Sequence, residues 1–127
     1  MTAALGTKKD VGDFEQLAAF ADTRAARSLR RNDPWAWAYW SETRSWALGM
    51  HGSAWWACCP RQMWLETIER LLKEANGEFV RSNWSNAARL YSRAKWCVII
   101  ARNRGFRMSP RETGVTPSMF KREVPCP

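Results

Sequence analysis

Histidine is almost absent from this sequence, and its scarcity limits the chemistry that the chain can perform. His51 is the only histidine, so any Ser-His-Asp or Cys-His-Asn set would depend on that one imidazole. The sequence also lacks a glycine-rich phosphate loop and a nucleophile elbow. We therefore predict that the protein is not an enzyme and that it uses no cofactor.

Long hydrophobic runs are absent as well. The longest uninterrupted run, Trp96 to Ala101, is far shorter than the roughly 20 residues that a membrane-spanning helix requires. The segment from Met1 to Asp10 contains no apolar stretch of signal-peptide length. From these absences we predict a cytoplasmic protein that has no membrane partner.

Cysteines are few, and none of them forms a spaced ligand pair. The four are Cys58, Cys59, Cys97 and Cys126. A C-x-x-C pair places two metal ligands on one turn, whereas adjacent cysteines point in different directions. We predict no metal site and expect buried thiols that pack as small hydrophobic side chains. Without a secretory signal, these cysteines also indicate a reducing compartment.

Strand patterns are weak throughout, and helical periodicity dominates the sequence. Helix starts are predicted at Asp13, Asp33 with Pro34, Pro60, and Ser82 or Asn83. Helix ends are predicted at Gly49, Gly77 and Gly105. The sequence shows no internal repeat. The resulting prediction is an all-α fold, a compact bundle of four to five helices forming one domain over residues 1–105. An irregular, proline-containing basic tail over residues 106–127 would dock on the bundle or on a partner.

Acidic residues are scarce in the last third of the chain. From Arg81 to Pro127 only Glu112 and Glu123 are acidic, and the segment carries +8, the net charge of the whole chain. Segregated charge of this kind is typical of proteins that bind a polyanion. Phosphates bind arginine and lysine, and unstacked bases stack on aromatic rings. Aromatic residues alternate with the cations, namely Trp84, Tyr91, Trp96, Phe106 and Phe120. We predict sequence-independent binding to RNA or DNA.

One face of the fourth predicted helix concentrates the expected contacts. Arg89, Arg93, Trp96, Ile100 and Asn103 have the spacing of one line along a helix. A large ring and an isoleucine among arginines are unusual on a solvated surface, so we interpret this line as an outward contact face. The predicted nucleic-acid-binding residues are Arg81, Arg89, Arg93, Lys95, Trp96, Arg102, Arg104 and Arg107.

Tryptophan, in contrast, is abundant. The chain has nine tryptophans, more than a domain of this size is expected to bury. In the second predicted helix, Trp37 and Trp40 lie on one side, and further aromatic residues lie nearly opposite, so that helix needs two neighbours. We predict a partner interface with other protein subunits, possibly copies of this chain. Its residues are Trp35, Tyr39, Trp46 and Ile100.

Over Asp13 to Gly105, the size, helix content and charge placement resemble the small helical subunits of CRISPR effector complexes. Those subunits pack side by side along a ribonucleoprotein filament and hold nucleic-acid backbone with basic faces. The resemblance implies a role in antiviral defence within such a complex. It also implies that Arg89, Arg93, Lys95 and residues 102–107 contact guide or target phosphates, and that Trp35, Tyr39 and Trp46 contact neighbouring subunits.

Two alternative functions remain open at this point. Aromatic anchors flanked by arginine also form interface hot spots, which would suit a protein–protein interaction module or an inhibitor from a mobile genetic element. The spacing of Arg44 and His51 matches the R-x(4–6)-H pattern of helical metal-independent ribonucleases of the HEPN class. There the arginine would stabilise phosphate charge and the histidine would act as general acid or base. Ser45 departs from the residue types usual after that arginine, and Gly49 is predicted to interrupt the helix.

Overall fold

A computed structural model describes residues 10–116 of the chain, and helices make up most of that range. No strand occurs among these residues, so the predicted all-α class with four to five helices is confirmed. None of the helices described is both long and apolar enough to cross a membrane. The helices are α1 (Phe14–Arg30), α2 (Pro34–Ser53), α3 (Arg61–Val80), α4 (Trp84–Asn103) and the short α5 (Pro110–Thr113), with one turn of 3₁₀ helix at Trp55–Ala57.

The chain divides into two compact units, Met1–Cys58 and Cys59–Pro127. The first unit is a hairpin of α1 and α2, and the second is a hairpin of α3 and α4 with α5 against α3. Compactness alone does not make a unit an independently folding domain. The single domain expected over residues 1–105 therefore stays a prediction.

The two hairpins repeat one geometry at an interval of 50 residues. The helices α2 and α4 each contain 20 residues, and they begin at Pro34 and Trp84. Three residues link the helices of each hairpin, and the middle one adopts a left-handed backbone, with φ 54° at Asn32 and φ 62° at Ser82. The sequence search missed this repeat because it is carried by helix lengths and turn conformation and not by matching side chains.

Each hairpin turn closes with the pair of hydrogen bonds known as a Schellman motif. In the first turn, the Asn32 N–H donates to the Leu29 carbonyl at 3.2 Å, and the Asp33 N–H donates to the Ser28 carbonyl at 3.0 Å. The same two bonds, at 3.0 and 2.9 Å, join the residues 50 positions later. The Asp33 carboxylate also accepts from the Ala36 N–H at 3.1 Å. One helix therefore ends and the next begins within three residues, which forces antiparallel neighbours.

Two of the predicted helix ends are wrong. The helices α2 and α3 continue beyond Gly49 and Gly77. A glycine inside a helix costs only about 1 kcal/mol relative to alanine, which the packing of a 20-residue helix outweighs. The third prediction is confirmed, because Gly105 follows α4 with φ 98°, a left-handed conformation that glycine adopts without strain.

Aromatic rings in edge-on contact pack the first unit. The Phe14 ring is fully buried and meets the rings of Trp46 and Trp56 at centroid distances of 5.6 and 5.5 Å. The Phe20 and Trp40 rings meet in the same way at 5.6 Å. Such T-shaped pairs add to the burial of apolar area because the positive ring edge faces the negative ring face.

Polar contacts hold α5 and its preceding turn in the second unit. Arg61 donates to the Arg107 carbonyl at 3.1 Å and forms an ion pair with Glu112. Arg102 donates two hydrogen bonds to the Met108 carbonyl, at 2.6 and 3.1 Å. Hydrogen bonding from Arg61 is the main reason that the pKa of Glu112 is lowered. Residues 106–116 of the predicted tail therefore have defined structure, and the rest of that tail lies outside the described residues.

Candidate interaction surfaces

The predicted contact face along α4 is wrong. Lys95, Trp96 and Ile100 have 2%, 0% and 0% of their surface exposed. Arg93 is half-buried, and burial lowers the pKa of its guanidinium. The Lys95 ammonium lies 5.0 Å from the centroid of the Trp96 ring, within cation–π range. A ring buried in its own fold is not available for stacking on a base or for packing on a partner.

The reason for this error is the extent of burial along the second half of α4. All eight residues from Ala94 to Ala101 are buried, so this stretch has no solvent-facing side. The sequence analysis assumed that a helix with one core stripe turns its opposite side to solvent, which holds for a surface helix only. Arg89, one turn or more before this stretch, is exposed as predicted.

The predicted partner interface on α2 is partly wrong. Tyr39 is buried, with its ring 4.8 Å from that of Trp40, whereas Trp35 and Trp46 are half-buried. The buried stripe of α2 contains small residues among the aromatic ones, and it runs between the two sides that the aromatic pattern suggested. Its members are Ala36, Tyr39, Trp40, Thr43 and Ala47. For Trp35 and Trp46, contact with a partner stays a prediction.

The remaining predicted phosphate contacts are exposed. Arg81 is exposed and ion-paired with Glu78 at 3.1 Å, and the pKa of Glu78 is lowered mainly by hydrogen bonding from Asn83 and secondly from Arg81. Four more arginines lie between the end of α4 and α5, and we refer to them as the α4–α5 arginines. They are Arg102, Arg104, Arg107 and Arg111, all exposed.

The structure removes one objection to the ribonuclease hypothesis and adds another. Because α2 is unbroken at Gly49, Arg44 and His51 lie on one helix, two turns apart. Both, however, contact acids of α1: Arg44 lies 3.4 Å from Asp22, and His51 lies 3.5 Å from Glu15. These two contacts join the helices of the first hairpin, which accounts for both side chains without catalysis. The ribonuclease function stays a prediction.

The cysteines differ in exposure, and one prediction about them is wrong. Cys59 and Cys97 are buried, as expected, but Cys58 is exposed; Cys126 lies outside the described residues. Burial raises the pKa of the Cys97 thiol to about 12. Within residues 10–116, no three His, Cys, Asp or Glu side chains are grouped so that they could hold a metal ion.

We expect iodoacetamide at about pH 8 to modify Cys58 and to leave Cys97 unmodified in the folded protein, because only the thiolate reacts. A buried thiol with a pKa near 12 supplies almost no thiolate at that pH. Peptide mass spectrometry of each cysteine would measure this difference. Labelling in urea is the control and should modify both thiols, and equal labelling rates in the folded protein would contradict the burial of Cys97.

Large apolar side chains are exposed at both hairpin turns, a feature that the sequence analysis missed. At the first turn, 65% of Leu29 and 44% of Trp37 are exposed; at the second, the values are 53% for Phe79, 82% for Val80 and 50% for Trp84. We call the Leu29–Trp37 surface the first tip and the Phe79–Trp84 surface the second tip. The signal available in the sequence was an apolar residue beside each predicted helix break.

No protein-family model, curated protein or solved structure matches this chain. The resemblance to CRISPR small subunits therefore stays a prediction. The geometry by itself defines a class, an all-α protein of two helical hairpins with exposed arginines near one helix end and exposed apolar side chains at both turns.

Proposed function

We propose that the protein binds the phosphate backbone of RNA or DNA through the exposed arginines of its second unit. The observation that supports this proposal is the density of exposed cations between residues 102 and 111, the α4–α5 arginines. The acid nearest to them, Glu112, is already ion-paired with Arg61. The stretch therefore keeps its positive charge at the surface.

The hydrogen bonds of Arg102 do not reduce this charge. Its guanidinium donates to the Met108 carbonyl, and a carbonyl is an uncharged acceptor. The bonds hold the side chain in one orientation, so that less conformational entropy is lost when a phosphate binds. Arg104 and Arg107 flank Gly105 in the same turn. A bound strand would meet cations from a single short segment.

Sequence-independent binding agrees with what accompanies these arginines. The only aromatic residue between Arg102 and Arg111 is Phe106, and its ring is half-buried. Contacts to phosphate position a protein on nucleic acid but carry no sequence information, which requires contacts to base edges. Charge neutralisation would therefore supply most of the affinity, as it does in non-specific complexes.

The double variant Arg107→Gln/Arg111→Gln tests this proposal by removing two cations without reversing charge. In filter-binding titrations with single- and double-stranded oligonucleotides at about 50 mM salt, we expect affinity to fall on the order of tenfold per lost phosphate contact. The slope of log K against log salt should become shallower by about 2. Neither side chain forms an ion pair in the described residues, so the fold should persist.

The matched control is Arg70→Gln/Lys73→Gln, which removes the same charge from exposed positions on α3. It should keep nearly all of the affinity, because local phosphate contacts and not net charge determine binding. Equal losses in both double variants would show that only the overall charge matters. If the unmodified protein retains neither oligonucleotide at low salt, the proposed function is wrong.

A further inference from the structure

The first tip contains a groove between the last turn of α1 and the first turn of α2. The groove has a volume of about 370 Å³ and is lined by Leu29, Asn32, Asp33, Pro34 and Trp37. This volume is at the lower end of the range for ligand-binding pockets, and it suits one large apolar side chain better than an extended ligand. Its walls are apolar side chains that the described fold leaves exposed.

Three cations surround this groove. Arg27, Arg30 and Arg31 are exposed at the end of α1, and the ion pairs among the described residues use none of them. The one carboxylate of the groove, Asp33, already accepts the Ala36 N–H as the cap of α2. The surface therefore combines an exposed tryptophan with uncompensated arginines, the two residue types most enriched in interface hot spots.

We propose that the first tip binds an acidic segment of a partner protein. One apolar side chain of that segment enters the groove between Leu29 and Trp37, and neighbouring carboxylates pair with Arg30 and Arg31. Charge complementarity selects an acidic partner, and the apolar walls select a side chain of leucine or aromatic type. The site belongs to the first unit and does not depend on nucleic-acid binding by the second.

An acidic protein segment suits this surface better than nucleic acid or a second copy of the chain. A nucleic-acid strand has a phosphate at every nucleotide and would bring one close to Asp33, whereas a peptide can place its carboxylates only beside Arg30 and Arg31. The apolar residues that the chain itself exposes most, Phe79 and Val80, are followed by Arg81. They therefore lack the carboxylates that the first tip requires.

A phage-displayed library of random 12-residue peptides, selected on the full-length protein and counter-selected on Trp37→Ala, tests the proposal. We expect the enriched peptides to carry net negative charge and one leucine or aromatic residue. A synthetic peptide of the enriched sequence, labelled for fluorescence anisotropy, should bind Trp37→Ala at least about 30-fold more weakly than the unmodified protein, as for an interface hot spot. Arg30→Gln/Arg31→Gln should also weaken it.

Leu48→Ala is the matched control, because Leu48 lies on the same helix and its exposure of 43% is close to the 44% of Trp37. It should change peptide affinity less than about threefold, as expected outside a hot spot. Enrichment of basic or uncharged peptides, or equal weakening by both variants, would overturn the proposal. So would displacement of the peptide by a 12-nucleotide single strand in a Trp37-dependent manner, or a dimer in sedimentation that Trp37→Ala abolishes.

Discussion

Replacing Trp96 with alanine should lower the free energy of unfolding by about 3 to 5 kcal/mol. The Trp96 side chain is fully buried within the eight-residue buried stretch of α4. Removing the indole loses its transfer free energy and leaves a cavity that a close-packed interior fills only in part. Urea denaturation followed by far-UV circular dichroism would measure the change. This experiment separates a core tryptophan from the contact residue that the sequence predicted.

Trp84→Ala is the matched control on the same helix, because half of the Trp84 side chain is exposed. Its effect on the free energy of unfolding should be small, of the order of 0.5 kcal/mol, as for most surface substitutions. If Trp96→Ala left stability unchanged but weakened nucleic-acid binding, the outward face predicted from the sequence would be right and the burial seen in the structure would be wrong.

Phe14→Ala is expected to destabilise the protein by a similar amount, about 3 to 5 kcal/mol. Phe14 is fully buried at the start of α1, and its ring contacts both Trp46 and Trp56 edge-on. Losing this ring removes two aromatic contacts together with the buried apolar area. The midpoint of urea unfolding should fall, and the indole emission of the fluorescence spectrum should shift to the red as Trp56 becomes hydrated.

Leu29→Ala controls for the loss of an apolar side chain from the same helix, since 65% of Leu29 is exposed. It should change stability by no more than about 0.5 kcal/mol. Similar effects from Phe14→Ala and Leu29→Ala would contradict the aromatic packing of the first unit. The pair also shows whether the first tip can be altered, as the peptide-binding test requires, without loss of the fold.

The helix starts were predictable because they depend on local chemistry. An aspartate before the first helical turn accepts a backbone N–H that has no other partner, and the carboxylate of Asp13 does so with the Gln16 N–H at 2.7 Å. The same holds for Asp33. The ends at Gly49 and Gly77 could not be predicted in this way, because tertiary packing can outweigh the small intrinsic cost of glycine in a helix.

The candidate sites divide along the same line. A lysine and an arginine contribute equally to a charge count, yet Lys95 is 2% exposed and Arg107 lies in an exposed turn. Periodicity identified the stripe that contains Trp96 correctly as one line along α4. It could not show whether that line faces solvent, since the answer depends on what the rest of the chain places beside it.

The sequence by itself determined the all-α class, the sites where the helices start and the location of the net charge in the last third of the chain. These properties follow from interactions within a few residues or from composition alone. Only the tertiary structure decided which of the aromatic and basic residues reach the surface, and it revealed the 50-residue repeat of the hairpins. Burial is a property of neighbours distant in sequence, so the tips at Trp37 and Trp84 emerged only when the helices were paired.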